Sequence, residues 1–325
     1  MKRRTFIHKS SLAGTGVCLA LSLITRQQES PIKVGVIGLD TSHSVAFTKV
    51  INAESTGFKV SHAYPNGSKD IESSVSRIPK YTQEMKALGV TIAPSIDALL
   101  AEVEVVLLET NDGRLHLEQA KAIIAAKKPL FIDKPMAASL KDVVTIFDLA
   151  KKHQVPIFSS SSLRFSPSMQ AIKAGKVGEV IGAATFSPAT IEKTHPDLFW
   201  YGIHGIEALF TLMGTGCKSV RRTFSKGTDI VVGEWRDGRI GTFRGLRNGK
   251  TSYGGRVFGT EGISEAGIYE GYEHLVKEIM QFFKTGIPPV TAAETIEIFA
   301  FMEAAELSKK RKGKVVSLAR VLKKV

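Results

Sequence analysis

The chain has 325 residues, of which 43% are hydrophobic and 23% are charged, and its formal net charge is +13. This composition excludes fibrous and disordered chains and suits about two globular domains. The basic excess lies at the two ends, because residues 1–26 carry five Lys or Arg, residues 309–325 carry eight, and neither segment has an acidic residue. The body between them has no net charge, which argues against nucleic acid as a partner.

Residues 1–26 have the layout of an export signal. A basic triplet at 2–4 precedes an uncharged run over 10–25 that is shorter than a usual membrane span, and its arginine pair resembles the twin-arginine type. We therefore expect a periplasmic protein without a stable membrane span once the signal is removed, with a short N-terminal membrane anchor as the alternative. Signal removal would leave Cys217 as the one cysteine, so no intrachain disulfide is possible.

Residues 31–158 alternate between short apolar runs and longer helical patterns. Strands are predicted at 32–39, 58–64, 90–94, 103–110, 129–136 and 155–162, and helices at 42–52, 95–102, 116–128 and 139–154. Parallel strands need a crossover helix, so this alternation predicts an α/β domain with a doubly wound parallel sheet. A ligand site is expected beyond the carboxyl ends of its strands.

The pattern then changes to that of an α+β domain, which we place at 159–308. A hairpin turned at an Asp-Gly pair is predicted over 229–247, and an apolar helix over 199–214 carries one His and one Glu. Strands joined by hairpins with flanking helices favour an open, mostly antiparallel sheet. Residues 309–325 are predicted to form a solvated basic tail.

Five motifs in this order resemble the Gfo/Idh/MocA family of sugar and polyol dehydrogenases over about residues 31–308. They are VGVIGLD after Pro31, HLEQAKAIIAAKKPLFIDKPM, RFSPSMQAI, GIHGIE and VFGTEG. The resemblance implies a Rossmann-type dinucleotide-binding domain at 31–158 and a substrate-binding domain at 159–308. It also implies an oxidoreductase that transfers hydride between NAD or NADP and a sugar, polyol or glycoside, and a homo-oligomer through the C-terminal sheet.

The same resemblance assigns two catalytic residues. Lys134 in DKPM matches the family's Glu-Lys-Pro motif, with Asp133 and Pro135 beside the cofactor. Its ammonium group would lower the cost of alkoxide character on the substrate. His204 in GIHGIE matches the family's acid/base histidine, whose ordinary pKa close to neutrality suits proton exchange with a hydroxyl.

Four more residues are expected to contact the substrate. Trp200 stands where the family often has Asp, and it would give a sugar ring an apolar face beside Tyr201. Glu207 would take over part of the polar role of the missing acid. Arg164 follows the sixth predicted strand, where it either contacts the substrate or forms a salt bridge between the domains.

The dinucleotide-binding turn departs from the family's Gly-x-Gly-x-x-Gly pattern. Gly38 keeps the first glycine, but Asp40 replaces the second and His43 the third. A carboxylate at position 40 would repel a diphosphate if it faced the phosphates, or would cap the following helix near Ser42 if it turned away. The bulk of His43 would push that helix outward.

Further cofactor contacts are expected after the second and fourth strands. The ribose-binding acid that usually lies about twenty residues beyond the turn is missing. Ser68 and Lys69 are instead available for a phosphate, which favours NADP, and Asn111 is expected at the nicotinamide end. A cofactor that stays tightly bound would explain how the protein catalyses a reaction outside the cytoplasm, where free NAD is scarce.

Other chemistries are weaker or stay open. The acid and histidines at positions 40, 43, 195 and 204 lack a short metal-ligand spacing, so no metal site is predicted. One alternative is a glycoside lyase or hydrolase that oxidises its substrate transiently with bound NAD. The other is a non-catalytic carbohydrate-binding protein that has lost cofactor binding.

Replacing Arg3 and Arg4 together with Lys is expected to block export. The charge of the signal is conserved in this variant, so only recognition of the arginine pair by the export receptor changes. The measurement is the fraction of the protein found in the periplasm of producing cells, with Lys9→Arg as the control. Unchanged export of the double variant would contradict the twin-arginine interpretation.

Overall fold

Six parallel strands form the first sheet, in the order β3-β2-β1-β4-β5-β6. The computed structural model describes residues 30–53 and 56–325. The strands are β1 (Ile32–Ile37), β2 (Phe58–Tyr64), β3 (Thr91–Ile92), β4 (Val105–Leu108), β5 (Leu130–Ile132) and β6 (Ile157–Ser159). The predicted doubly wound sheet is confirmed. Its order reverses between β1 and β4, where sheets of this kind form a ligand crevice.

Helices cross between these strands; four of them agree with the predicted helices, and the two between β2 and β3 were not predicted. The helices are α1 (Ser42–Ile51), α2 (Glu72–Val75), α3 (Ile78–Ala87), α4 (Ile96–Glu102), α5 (His116–Ala125) and α6 (Leu140–His153). The first of them begins directly after the turn that follows β1. Its N-cap is Thr41, whose hydroxyl accepts a hydrogen bond from the His43 amide.

Seven strands form the second sheet, in the order β12-β11-β7-β10-β9-β8-β13. They are β7 (Val180–Pro188), β8 (Cys217–Phe224), β9 (Thr228–Trp235), β10 (Ile240–Leu246), β11 (Gly254–Gly259), β12 (Ile263–Ala266) and β13 (Val316–Ser317). Only β7 and β10 pair in parallel among the described strands of this sheet. The predicted hairpin is β9–β10, and the prediction of a mostly antiparallel sheet is confirmed.

One face of the second sheet is covered by α9. The helices of this half are α7 (Pro167–Lys173), α8 (Asp197–Trp200), α9 (Ile203–Met213), α10 (Glu273–Thr285), α11 (Ala292–Lys310) and α12 (Leu318–Leu322), with a 3₁₀ turn at Ser162–Phe165. A Cβ at Gly205 would lie 2.3 Å from the ring of Phe243 on β10. Glycine therefore allows α9 to lie close to the sheet, which fixes the position of the neighbouring His204.

The domain boundary differs from the prediction of one substrate domain at 159–308. Although α10 follows β12 of the second sheet in the chain, its Ile279 and Phe282 belong to the hydrophobic cluster that contains Val36 of β1 and Leu107 of β4. The chain thus returns to the first domain before β13 completes the second sheet. The order of the elements along the chain could not show which sheet this helix covers.

Residues 309–325 do not form a solvated tail. Within them, β13 pairs with β8, and α12 buries Leu318 and Val321 in the core. The prediction was wrong because a few apolar residues lie between many lysines and arginines, which dominate the composition of so short a segment. The apolar side chains turn inward while cations such as Lys323 stay exposed.

Two other predictions are not tested by the fold. The export signal at 1–26 lies outside the described residues.

Within the described part of the chain, no helix combines the length and the hydropathy needed to cross a bilayer. The homo-oligomer stays a prediction; the outer face of the second sheet carries the half-buried Ile230, Val232 and Phe258.

Replacing Leu318 with Ala is expected to lower the free energy of unfolding by about 2–5 kcal/mol, the usual cost of truncating a buried leucine. Lys323→Ala, at an exposed position of the same segment, is the matched control and should change it little. Urea denaturation measures both. Equal, small effects of the two substitutions would show that the segment is a tail after all.

Candidate active site

A cavity of about 410 Å³ lies at the carboxyl edge of the first sheet, with walls from both domains. Its volume is in the range of small-molecule sites. The predicted residues Trp200 and Tyr201 both line it. The described lining residues are Thr41, Ser42, His43, Ser73, Arg77, Asn111, Lys134, Ser162, Leu163, Thr190, Trp200, Tyr201, His204, Tyr253, Tyr269 and Tyr272.

Lys134 enters the cavity directly after β5, followed by the buried Pro135. Its Nζ lies 3.8 Å from Oδ2 of Asp133 and 5.9 Å from the centre of the Tyr201 ring. Burial opposes ionisation of Asp133, but His43 and Lys134 beside it outweigh burial and hold the pKa of this carboxyl at about 2. Asp133 is therefore ionised and keeps the ammonium group of Lys134 at the cavity wall.

His43 occupies the third glycine position without displacing α1. Its Nδ1 lies 2.7 Å from Oδ2 of Asp133, and its ring contacts the rings of Phe47 and Tyr272, with centroids 5.3 and 4.7 Å away. The expectation that His43 pushes the helix outward is wrong. The side chain lies along the cavity wall, where an ionised acid and two aromatic rings give it a specific place.

Gly38 and Asp40 have different roles in the turn after β1. Gly38 has φ +93°, and a Cβ there would lie 2.4 Å from the backbone nitrogen of Thr110, so only glycine fits. The buried carboxylate of Asp40 accepts hydrogen bonds from the amides of Ser68 and Asn111, both at 2.9 Å. Burial raises the pKa of Asp40, and the amide hydrogen bonds act in the opposite direction.

The Asp40 carboxylate therefore lies in neither of the two places that the sequence predicted. The carboxylate does not line the cavity, and the cap of α1 is Thr41. Asp40 instead joins the loops that follow β2 and β4, the two neighbours of β1 in the sheet. The pattern alone could not show this, because the two amides belong to residues 28 and 71 positions away in the chain.

The predicted phosphate contacts after β2 also need correction. The hydroxyl of Ser68 donates to Oδ2 of Asp112 at 3.2 Å, and Lys69 is exposed; neither residue lines the cavity. Asn111 does line it, and its Nδ2 donates to the Ser74 hydroxyl at 2.9 Å. The side chain of Ser68 thus links the loops that follow β2 and β4.

His204 lies in the first turn of α9 and lines the cavity. Its Nδ1 lies 2.8 Å from Oγ of Ser161, and its ring centre lies 5.7 Å from that of Tyr201. Burial, with the charges of Lys134 and His43, lowers the pKa of His204 well below its ordinary value. The imidazole is therefore neutral at neutral pH.

Arg164 and Glu207 pair with each other, and neither lines the cavity. Nε of Arg164 donates to Oε1 of Glu207 at 2.9 Å, and Nη1 donates to Oε1 of Glu294 at 2.7 Å. Glu207 also accepts a hydrogen bond from the Ser161 amide at 2.8 Å. The expected substrate contacts of both residues are corrected, and Arg164 instead forms a salt bridge, the alternative expected for it. This buried network connects the segment after β6 to α9 and α11.

Sequence analysis missed Arg77 and three tyrosines. Arg77 lines the cavity and forms no salt bridge with any residue that the structure describes. Tyr253, Tyr269 and Tyr272 continue an aromatic wall from His204, with successive ring centres 5.4, 6.2 and 5.4 Å apart. The spacing of the last two tyrosines just before α10 was the one available signal.

Residues 32–161 match the family described as "Oxidoreductase family, NAD-binding Rossmann fold", the Gfo/Idh/MocA family. This span contains β1–β6 together with Gly38 and Lys134. This match assigns the first domain to the Gfo/Idh/MocA family. The resemblance inferred from its motifs is thereby confirmed, and with it the class of the first domain.

Two curated relatives match shorter parts of this chain. Myo-inositol dehydrogenase Hyg17 from Streptomyces leeuwenhoekii is 27% identical over 112 residues, which cover 34% of each protein. The uncharacterized oxidoreductase sll0816 from Synechocystis is 29% identical over 79 residues, 24% of this chain and 21% of that protein. The chain thus spans about a third or less of the length of the curated relatives it matches.

Solved structures share the whole two-domain fold. A probable dehydrogenase from Thermotoga maritima has a TM-score of 0.74 at 20% identity, covering 89% of this chain and 100% of that one. Scyllo-inositol dehydrogenase from Lactobacillus casei, solved with NAD(H) and scyllo-inositol, has a TM-score of 0.71 at 16% identity, covering 89% and 99%. These likenesses show the fold of the Gfo/Idh/MocA enzymes over both domains.

The residues present fit the dinucleotide that this Gfo/Idh/MocA fold implies. Thr41 and Ser42 open the amino end of α1 into the cavity, where backbone N–H groups favour an anion. Arg77 and Lys134 add positive charge, and none of the described lining residues is a carboxylate. Because Asp40 turns away, the repulsion expected from the altered turn does not arise.

Replacing Asp40 with Ala is expected to lower the free energy of unfolding by roughly 2–4 kcal/mol, because the amides of Ser68 and Asn111 lose their acceptor inside the protein. Asp40→Asn keeps one carbonyl oxygen and should lose less. Urea denaturation measures the effect, with Asp148→Ala on the exposed face of α6 as the control. Unchanged stability together with tighter NAD(H) binding would show that the carboxylate faces the diphosphate.

Proposed function

We propose that the chain is an NAD- or NADP-dependent oxidoreductase that transfers hydride to or from a hydroxyl-bearing carbon of a sugar or polyol. The observation that carries the proposal is that Lys134 and His204, from different domains, line one cavity beside the amino end of α1. The family description and the names of two relatives, a myo-inositol and a scyllo-inositol dehydrogenase, support it. On the N-terminal sequence alone, we also propose that it works in the periplasm.

The cofactor would be held by the first domain. The amino end of α1 at Thr41 and Ser42, with the guanidinium of Arg77, would bind the diphosphate. Asn111 and Lys134 would lie nearer the nicotinamide. When bound, the nicotinamide supplies or accepts the hydride, and the chain's own residues manage the charge and the proton on the substrate oxygen.

Lys134 is suited to stabilise negative charge on that oxygen. Its ammonium group is buried, which strengthens its interaction with a developing alkoxide. Asp133, with Oδ2 at 3.8 Å from Nζ, keeps it in place. Because the cavity wall around it is mostly aromatic and polar but uncharged, no described lining carboxylate competes for the ammonium.

His204 is suited to take the hydroxyl proton. When its Nδ1–H donates to the Ser161 hydroxyl, Nε2 is left as the proton acceptor. The neutral imidazole is available at neutral pH because burial and nearby cations disfavour its charged form. The same surroundings disfavour keeping the proton, so His204 returns it readily in the reverse reaction.

The aromatic wall supports a carbohydrate substrate. Trp200, Tyr201, Tyr253, Tyr269 and Tyr272 surround the catalytic pair. Their faces suit the C–H surface of a sugar or cyclitol ring, and the phenol hydroxyls suit its hydroxyl groups. Trp200, which stands where the family often has Asp, thus adds an apolar surface to the cavity.

His204→Asn and Lys134→Met are each expected to reduce polyol oxidation by at least about 100-fold, the usual contribution of a positioned acid–base group. Because the pKa of His204 is lowered, the neutral base persists in mild acid, and the acidic limb of kcat/KM should lie below about pH 6.5. Nucleotide reduction followed at the nicotinamide absorbance band, with a panel of inositols and sugars and both nucleotides, measures this.

The control for these variants is Lys141→Met, an exposed lysine on α6, which should keep the wild-type rate. Circular dichroism checks that each variant is folded. Wild-type rates in the Lys134 or His204 variant, or an acidic limb that is unchanged in His204→Asn, would contradict these roles.

A further inference from the structure

A polar cluster lies beneath the cavity, and only its Asp133 has a part in the proposed reaction, where it positions Lys134. The cluster is formed by His43 in the first turn of α1, Glu109 at the end of β4 and Asp133 at the end of β5. One ligand atom from each side chain lies within 4.8 Å of the other two. Three neighbouring elements of the first sheet therefore bring one imidazole and two carboxylates to the same point.

The burial and the surroundings of Glu109 indicate a ligand between these groups. Glu109 is fully buried, and neither of its carboxylate oxygens has a hydrogen-bond partner among the described residues. Oδ1 of Asp133 is also buried without a partner, while Oδ2 lies 2.7 Å from Nδ1 of His43. Buried carboxylate oxygens are costly unless they are hydrogen-bonded, paired or bound to a metal.

The nearby ammonium group of Lys134 only partly satisfies these carboxylate oxygens. Nζ of Lys134 lies 3.8 Å from Oδ2 of Asp133, which is beyond hydrogen-bond distance, and this ammonium forms no salt bridge with Glu109 in the described part of the chain. Two adjacent acids thus share one lysine across the site. A divalent ion would balance both carboxylates and accept lone pairs from all three side chains.

We propose that His43, Glu109 and Asp133 bind a divalent transition-metal ion. One nitrogen and two oxygen ligands suit a borderline ion such as Zn²⁺ or Mn²⁺ better than Ca²⁺, which prefers oxygen ligands alone. Three protein ligands leave at least one coordination position open. His43 lines the cavity, so that position is reached from the cavity. The earlier expectation of no metal site overlooked Glu109, which carries no motif.

The test uses the full chain stripped with a chelator and titrated with Mn²⁺ alone, followed by electron paramagnetic resonance of the free ion. We expect one saturable site per chain. Glu109→Gln should weaken binding at least about tenfold, and His43→Asn should also weaken it. Glu118→Gln, an exposed acid on α5, is the control and should bind as the wild type does.

The metal-free variant also distinguishes a ligand from a structural residue. Glu109→Gln replaces a buried carboxyl group that has no hydrogen-bond partner among the described residues, so its melting temperature without metal should be equal to or above that of the wild type. Added Zn²⁺ should raise the melting temperature of the wild type only. Neither measurement needs nucleotide or substrate, so the result is independent of the proposed dehydrogenase activity.

Two outcomes would overturn the proposal. One is the absence of saturable binding of Mn²⁺ or Zn²⁺ to the wild type. The other is equal affinity in the wild type and in Glu109→Gln. An infrared band of a protonated carboxylic acid that disappears in Glu109→Gln would then show that the side chain is neutral and needs no metal.

Discussion

Asp133 holds a fully buried carboxylate between His43 and Lys134, and the floor of the cavity depends on it. One oxygen lies 2.7 Å from the imidazole and 3.8 Å from the ammonium. This fastens the first turn of α1 to the end of β5, so the anion-binding end of the helix and the catalytic ammonium keep a fixed separation. Removing one partner of such a buried set typically costs about 3–5 kcal/mol, because the remaining charges lose their compensation.

A second buried pair positions the other catalytic group. Arg164 joins the segment after β6 to Glu207 on α9, one turn beyond His204, and Glu207 also holds the Ser161 amide. Ser161 in turn contacts the ring of His204. The two acids outside the cavity, Asp133 and Glu207, thus orient the two groups inside it.

The sequence predicted the elements well because burial leaves a strong local pattern. The strands β1, β4 and β5 are continuous apolar runs, and Lys134 and His204 could be located because each lies within a family motif. The partners of Asp40 and Arg164 could not be predicted, since nothing local records which distant loop a side chain meets. Leu318 was hidden for a different reason: lysines and arginines dominate the charge of residues 309–325, so composition concealed a short buried helix.

The altered turn shows that substitutions in a binding motif do not by themselves exclude binding of the ligand. Two glycines of the pattern are replaced, yet the new side chains do not fill the space in front of α1. Asp40 turns into the loops beside β1, and His43 turns towards Asp133. The helix end, Arg77 and Lys134 remain available to an anionic ligand.

Quenching of tryptophan emission by NADH or NADPH tests most directly whether this cavity holds the dinucleotide. Trp200 lines the cavity, whereas Trp235, the other tryptophan of the chain, is buried in the second domain. Binding predicts saturable quenching with one site per chain by at least one nucleotide, most of it lost in Trp200→Phe. Quenching that stays linear with both nucleotides, or that is unchanged in Trp200→Phe, would contradict a dinucleotide site in this cavity.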